Sequence, residues 1–203
     1  MYFLETIVVI SGGNGANGAP LSSVEVLILD DQNGLQSTTC SMEDLPTALT
    51  GHEMVLSPDS RSLIVCGGSN PGHQPSTFDT CYGLEKDTAV WQTTIPPMKK
   101  NRTVFGMTTI RGVATIAVGG ETQIPSIIQS NLTEWQDTEK ISLNKSEKFD
   151  GRIWIDAIQD LSVNISLHCV TQYKSGHIAA IGGAQNGQVR KEWQYPLSKR
   201  FFL

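Results

Sequence analysis

Four short apolar runs divide the chain, and each ends in a pair of glycines: IVVIS before Gly12-Gly13, LIVC before Gly67-Gly68, IAV before Gly119-Gly120 and AAI before Gly182-Gly183. The runs consist of β-branched and small apolar residues, which predicts strands buried on both faces; glycine at the end permits a tight turn or a close backbone approach. Successive pairs are separated by 55, 52 and 63 residues. A period of that length is too long for a solenoid coil of one or two helices and fits the blade of a β-propeller.

The stretches between the pairs repeat a second pattern. After Gly67-Gly68 a polar loop leads to a strand predicted over Phe78 to Leu84, a turn at Glu85-Lys86-Asp87 and a strand carrying Trp91. PPMKKNR then precedes a strand pair, Val104 to Ile110 and Val113 to Val118, joined at Arg111-Gly112. Four short antiparallel strands per unit follow from this grammar. The third unit repeats it in SEKFDGRIWIDAI, with a turn at Asp150-Gly151 and a strand bearing Trp154. Its extra length then falls in residues 121–141, which include Trp135 and are expected to loop out of the blade. The units are approximately 1–48, 49–101, 102–164 and 165–203. The first begins at its second strand and the last reaches only its third, around Trp193 to Tyr195. About fourteen strands make three and a half blades, so the expected fold is all-β, a partial propeller with exposed edges at both ends.

The order of apolar strand, GG, loop, strand, turn, Trp and a returning apolar pair resembles the kelch repeat over nearly the whole chain. Trp91 and Trp154 match its tryptophan and Arg102 its arginine, whereas the first unit lacks the tryptophan. Within that superfamily, SSVEVLILDDQNG, LTGHEMVL, LIVCGGSN, DTCYGL and SLHCV are similar to secreted or ectodomain kelch-like proteins of invertebrates. The resemblance implies that the tryptophans pack between neighbouring blades and that the eight paired glycines are structural. Truncating such a ring to alanine would cost roughly 3 to 5 kcal/mol. It also implies further blades, since kelch rings close with about six or seven.

Composition narrows the function classes. Hydrophobic residues make up 39% of the 203, and 15 basic against 20 acidic residues leave a charge of -5. The basic residues form only small clusters such as Lys99, Lys100 and Arg102, which argues against a nucleic-acid track. No apolar run approaches the ~20 residues that span a bilayer. The opening MYFLETIVVIS carries Glu5, has no basic lead and flows into the first strand, unlike a signal peptide. The strand count makes that terminus an expected internal point of a longer propeller, so the missing leader carries little weight.

Two features point to the secretory pathway. Sequons occur at Asn101, Asn131, Asn144 and Asn164, the first three in predicted loops or the insertion. Cys66 ends an inner strand and Cys81 lies in the next, so antiparallel pairing would bring them into bonding range; the alternative is two small buried thiols. The likeness to secreted kelch-like proteins favours the bond. Cys40 and Cys169 pair with each other or with cysteines of further blades, and their spacing does not decide between these.

Catalysis is the competing class. Some kelch-type propellers resemble copper-radical oxidases, whose axis gathers tyrosines, histidines and a cysteine. Of the four histidines, His52 and His168 occupy almost the same place in their units, which predicts a structural role such as bonding a loop carbonyl; His73 and His177 fall in turns. Tyr82 adjoins Cys81, but neighbours on a strand face opposite sides. Asp30-Asp31, Glu43-Asp44 and Asp79 fall at turns and strand ends, and neither G-x-S-x-G nor H-E-x-x-H occurs. The expected role is therefore a non-enzymatic scaffold with no cofactor and no metal, presenting the loops Asn14 to Pro20, Ser69 to Pro75, Glu121 to Ser126 and Ala184 to Gln188 to a protein or matrix partner. An extracellular adhesion module is favoured over an intracellular adaptor.

Overall fold

A computed structural model of the chain describes residues 6–30, 34–37, 42–73, 75–85, 90–125, 138–157, 159–174, 177–185, 188–189 and 194–196. Its sheets are antiparallel meanders in which every apolar run before a glycine pair is a strand. The first sheet holds β1 (Thr6–Ser11), β2 (Val24–Asp30) and β3 (Gly34–Ser37) in that order. The second runs β4 (Thr50–Leu56), β5 (Ser62–Ser69), β6 (Cys81–Glu85) and β7 (Trp91–Gln92). In the third, β8 (Gly106–Ile110) and β9 (Ala114–Val118) are followed by a separate ribbon, β10 (Glu121–Pro125) with β11 (Thr138–Ser142); β12 (Ser146–Phe149) and β13 (Trp154–Asp156) then complete the sheet. The fourth pairs β14 (Cys169–Lys174) with β15 (His177–Ile181), sets aside a short ribbon of β16 (Ala184–Gln185) and β17 (Gln188–Val189), and adds β18 (Gln194–Pro196) beside β15.

Period-two alternation sends successive residues of each strand into different cores. On β5, Val65 joins Val24, Leu45, Leu49, Tyr82, Leu84 and Trp91 between the first and second sheets. Its neighbours Ile64 and Cys66 join Phe105, Met107, Ala117, Phe149 and Trp154 between the second and third. On β9, Ile116 and Val118 join Val170, Ile178 and Ala180 between the third and fourth. Trp91 and Trp154 thus each fill an inter-sheet core. The Trp91 ring donates to the Glu43 carbonyl at 2.8 Å, and Trp154 stacks on Phe149 with centroids 5.3 Å apart. Strand β8 lies against both β4 and β14, so the first strands of the last three sheets sit side by side.

Some strand limits differ from those read in the sequence. The strand predicted from Val104 begins at Gly106, because Val104 has φ of 47° and leaves the extended conformation. The one predicted from Phe78 begins at Cys81: Phe78 donates to the Gly68 carbonyl and accepts from Arg102 instead of joining a ladder. Residues 121–141 do leave their sheet, but their two ends are paired as the β10–β11 ribbon rather than forming a loop; Trp135 lies outside the described residues. Cys66 and Cys81 are directly opposite across β5 and β6 and are bonded. Cys169 is a free, exposed thiol, and Cys40 lies outside the described residues.

Candidate functional site

Consecutive sheets are joined by one repeated junction. The segments Leu49-Thr50-Gly51-His52, Arg102-Thr103-Val104-Phe105 and Ile165-Ser166-Leu167-His168 enter the first strands of the second, third and fourth sheets. In each, the third residue is left-handed: Gly51 at 65°, Val104 at 47° and Leu167 at 54°. The step aims the following ring back at the preceding sheet. A methyl added to Gly12 would lie 2.7 Å from the His52 ring, one on Gly67 2.8 Å from the Phe105 ring, and one on Gly119 2.7 Å from the His168 ring. The second glycine of each later pair supports the ring residue of its own sheet, with the built methyl 2.9 Å from Cβ of His52 at Gly68, 2.5 Å from that of Phe105 at Gly120 and 2.9 Å from that of His168 at Gly183. In the Gly67-Gly68 and Gly119-Gly120 pairs both glycines are therefore required by close approach as well as by positive φ.

Backbone bonds repeat with the rings. Gly13, Gly68 and Gly120 donate to the carbonyls of Leu49, Arg102 and Ile165 at 2.7 to 2.8 Å. Val104 donates to Gly51 and Leu167 to Val104, both at 2.8 Å. Sequence reading found the equivalence of His52 and His168 but missed Phe105. The signal was present as Thr or Ser, any residue, then a ring, in TGH, TVF and SLH. The two imidazoles pack against the glycines of the preceding sheet. His52 Nε2 lies 2.9 Å from the Ser11 hydroxyl, whereas neither nitrogen of His168 has a hydrogen-bond partner. Burial lowers the pKa of both, that of His168 to about 4; there the Val118 backbone opposes the shift and the Arg102 charge adds to it.

Arg102 also locks the second sheet to the third. Its guanidinium is fully buried and donates to Glu147 Oε1 at 2.7 Å and to the carbonyls of Gly119 and Lys145 at 2.6 and 2.8 Å. The other Glu147 oxygen accepts the Lys99 amide. Burial lowers the arginine pKa, and the Glu147 carboxylate opposes that shift in part. Glu147, buried at the start of β12, was not singled out by the sequence because nothing in SEKF separates it from an ordinary exposed glutamate.

Beyond each glycine pair the chain folds back on itself. Asn14 bridges Pro20, Ser69 bridges Thr77, and the third and fourth repeats extend the same feature into the β10–β11 and β16–β17 ribbons. Every loop predicted to be a binding surface begins one of these projections. Their bases are tied by the bridge from Leu21 to Leu49 of the next repeat and, within a repeat, by the bridges Thr103 to Glu121 and Ser166 to Ala184. Side chains add to this: Asn70 donates to the Ala48 carbonyl at 3.0 Å, Ser166 to Glu121 at 2.7 Å, and Ser76 to Gln123. A cleft of about 570 Å³ opens beside the β10–β11 ribbon, lined among others by Lys100, Asn101, Gln123, Ser142, Asn144 and Asn164. Its flanking cations Lys99 and Lys145 pair with Asp156 and Asp160.

Three of the four sequons meet at this cleft. Asn164 is exposed, Asn101 donates to the Thr77 carbonyl at 3.1 Å and Asn144 to that of Leu161 at 3.3 Å; Asn131 lies outside the described residues. The residues weighed for oxidase chemistry do not converge. The Cys81 sulfur is held in the disulfide, the Tyr82 hydroxyl lies 3.1 Å from Thr47 Oγ1, and His52 and His168 belong to different junctions. His73 packs edge-on to Phe78 at the start of its projection. No group of three His, Cys, Asp or Glu side chains able to hold a metal occurs among the described residues, and no helix among them is long and apolar enough to cross a membrane.

No family model matches the sequence and no curated protein is similar to it at a significant level. Among solved structures the chain is similar to the β-propeller-like protein described as "Structure of YjhT", with 14% identity and a TM-score of 0.65 over 87% of this chain and 50% of that one. The chain therefore spans about half the length of the structure it matches. Together with the antiparallel sheets set side by side through their first strands, this likeness makes the fold all-β and propeller-like.

Proposed function

We propose that the chain is part of a kelch-type β-propeller, organised in units 1–48, 49–101, 102–164 and 165–203 with an insertion at 121–141, and that it serves as a non-enzymatic scaffold for a protein or extracellular-matrix partner. The observation that carries this reading is the repeated projection after every glycine pair, tied at its base to its own repeat or to a neighbouring one. Such bracing holds variable loops on a rigid frame, the arrangement by which a repeated fold varies its binding surface without disturbing its sheets. The half-length match supports placing the four sheets in a larger ring. The Cys66–Cys81 disulfide and the exposed Asn164 sequon support a site of action outside the cell.

Affinity capture from an extracellular extract tests the reading. The intact chain is compared with Lys100→Glu/Gln123→Ala and with Asn70→Ala/His73→Ala. The scaffold reading expects a partner lost with at least one projection variant while the fold is retained. A partner captured equally by both variants and by the native chain contradicts it.

A further inference from the structure

Asn101 and Asn164 hold the same place in consecutive repeats. Each lies one residue before the buried Arg102 or Ile165 that opens a junction, and each begins a sequon closed by the junction hydroxyl of Thr103 or Ser166. Their side chains differ. Asn101 is half-buried and its Nδ2 donates to the Thr77 carbonyl at 3.1 Å; Asn144, the third sequon residue at the cleft, is also half-buried and donates its Nδ2 to the Leu161 carbonyl at 3.3 Å. Asn164 is exposed and its side chain makes no hydrogen bond among the described residues. Its backbone is nevertheless fixed, because the next residue, Ile165, donates to the Leu143 carbonyl at 3.0 Å and accepts from Gly120 at 2.8 Å. Asn164 therefore presents an uncommitted amide on a rigid base, at the border of the cleft of about 570 Å³ beside the β10–β11 ribbon.

We propose that Asn164 carries an N-linked glycan whose first sugars occupy this cleft and hold the ribbon to the next junction, and that Asn101 and Asn144 stay bare in the folded chain. This rests on the reading that the chain works outside the cell. In the transfer, Asn164 Nδ2 attacks C1 of the first N-acetylglucosamine of a lipid-pyrophosphate-linked oligosaccharide. The N–C1 bond forms, the bond from C1 to the pyrophosphate oxygen breaks, the lipid pyrophosphate leaves, and the amide gives one proton to the transferase. A sugar on Asn101 or Asn144 would compete with the backbone carbonyl that the same nitrogen bonds in the fold. At Asn164 it displaces nothing. The cleft suits the product, since its volume falls within the ~300 to 1,000 Å³ of small-ligand sites, and among its described lining residues only Ile141 and Leu143 are apolar. The hydroxyls of Thr122 and Ser142, the Gln123 amide and the exposed Lys100 ammonium offer the donors and acceptors that sugar hydroxyl and acetamido groups pair with. Thr122 and Gln123 lie on β10 and Ser142 on β11, so a sugar that starts at Asn164 and touches them ties the ribbon to the following repeat.

The test produces the full chain behind a secretory leader in a eukaryotic host and reads occupancy at Asn101, Asn144 and Asn164 by glycopeptide mass spectrometry on the folded fraction. Amide exchange in the same material is compared with that of folded Asn164→Gln. The proposal expects a glycan on Asn164, none on Asn101 or Asn144, and exchange at Thr122, Gln123 and Ile141 slower than in Asn164→Gln by about three-fold or more. In the bare chain made in bacteria, Asn101→Gln and Asn144→Gln should each lower the urea midpoint, whereas Asn164→Gln should leave it unchanged. An unmodified Asn164, a glycan on Asn101 or Asn144 of the folded chain, unchanged exchange in the ribbon, or a bacterial Asn164→Gln as destabilised as the other two would overturn it. If the chain from its native source is bare while the host-made chain carries the sugar on Asn164, the extracellular reading fails and the site stands. The partner reading is probed by capture with variants that all retain Asn164, so it fails independently.

Discussion

His168 stands in its sheet where Phe105 stands one repeat earlier. Each ring lies against the first glycine of the preceding pair, Gly119 or Gly67, and each is backed by the second glycine of its own, Gly183 or Gly120. The repeat thus needs a flat ring of about this size at the position and has no requirement for imidazole chemistry. At His168 the nitrogens are a liability: both are buried, neither makes a hydrogen bond of good geometry, and the weak contact with the Val118 backbone does not offset burial.

His168→Phe is accordingly expected to stabilise the chain by about 1 to 2 kcal/mol at pH 7, through removal of two unsatisfied polar atoms. A second gain appears in acid. With a pKa near 4 when folded and 6.5 when unfolded, the imidazole takes up a proton first in the unfolded state. Its neutral form contributes stability that is complete above pH 6.5 and is lost as the pH falls from 6.5 towards 4, by roughly 3 kcal/mol in all. Urea unfolding of both proteins at pH 7 and pH 5 should show the difference widening in acid.

Glu53, on β4 beside His52, has the opposite dependence. Burial raises its carboxyl from 4.5 to about 7, so the folded state binds its proton more tightly. That contribution is complete below pH 4.5 and is lost as the pH rises from 4.5 through 7. Glu53 and His168 therefore offset one another between pH 4.5 and 6.5. In Glu53→Gln the offset disappears, and stability measured across this window should fall more steeply towards acid than in the native chain.

The glycine pairs should not be equally sensitive to added bulk. In Gly119→Ala the methyl would meet the Ile165 carbonyl and the His168 ring, each at 2.7 Å, whereas a methyl on Gly182 meets nothing within 4 Å. Both positions have positive φ, so Gly182→Ala still costs about 1 kcal/mol of backbone strain. Gly119→Ala should lose at least twice as much in thermal or denaturant unfolding; equal losses would mean that only φ matters.

Removing either partner of the Arg102–Glu147 pair leaves a buried charge alone. Arg102→Met and Glu147→Met should each destabilise by about 3 to 5 kcal/mol, and the double variant by clearly less than their sum. A double-mutant cycle from urea unfolding supplies the coupling.

The period, the strands before the glycine pairs, the two core tryptophans' positions on short outer strands and the facing of Cys66 and Cys81 were legible, because period-two patterning and glycine punctuation are local signals. The junction was only half legible. Val104 is β-branched and extended by propensity, and its left-handed turn is imposed by tertiary contacts that no propensity reports, which hid the equivalence of Phe105 with the histidines. Glu147 was hidden for a similar reason, since its burial depends on an arginine 45 residues away. The ribbon at 121–125 and 138–142 was read as an insertion but not as a pairing, for its strands lack strict alternation.

Native-state hydrogen exchange, followed at individual amides, tests the repeated junction most directly. Gly13, Gly68, Gly120, Val104 and Leu167 all donate across a junction to the next or preceding repeat, and the account predicts that their amides exchange as slowly as those of the buried strand β9. Exchange at the rate of Gly18, at the tip of the first projection, would contradict it and reduce the sheets to neighbours without a common joint.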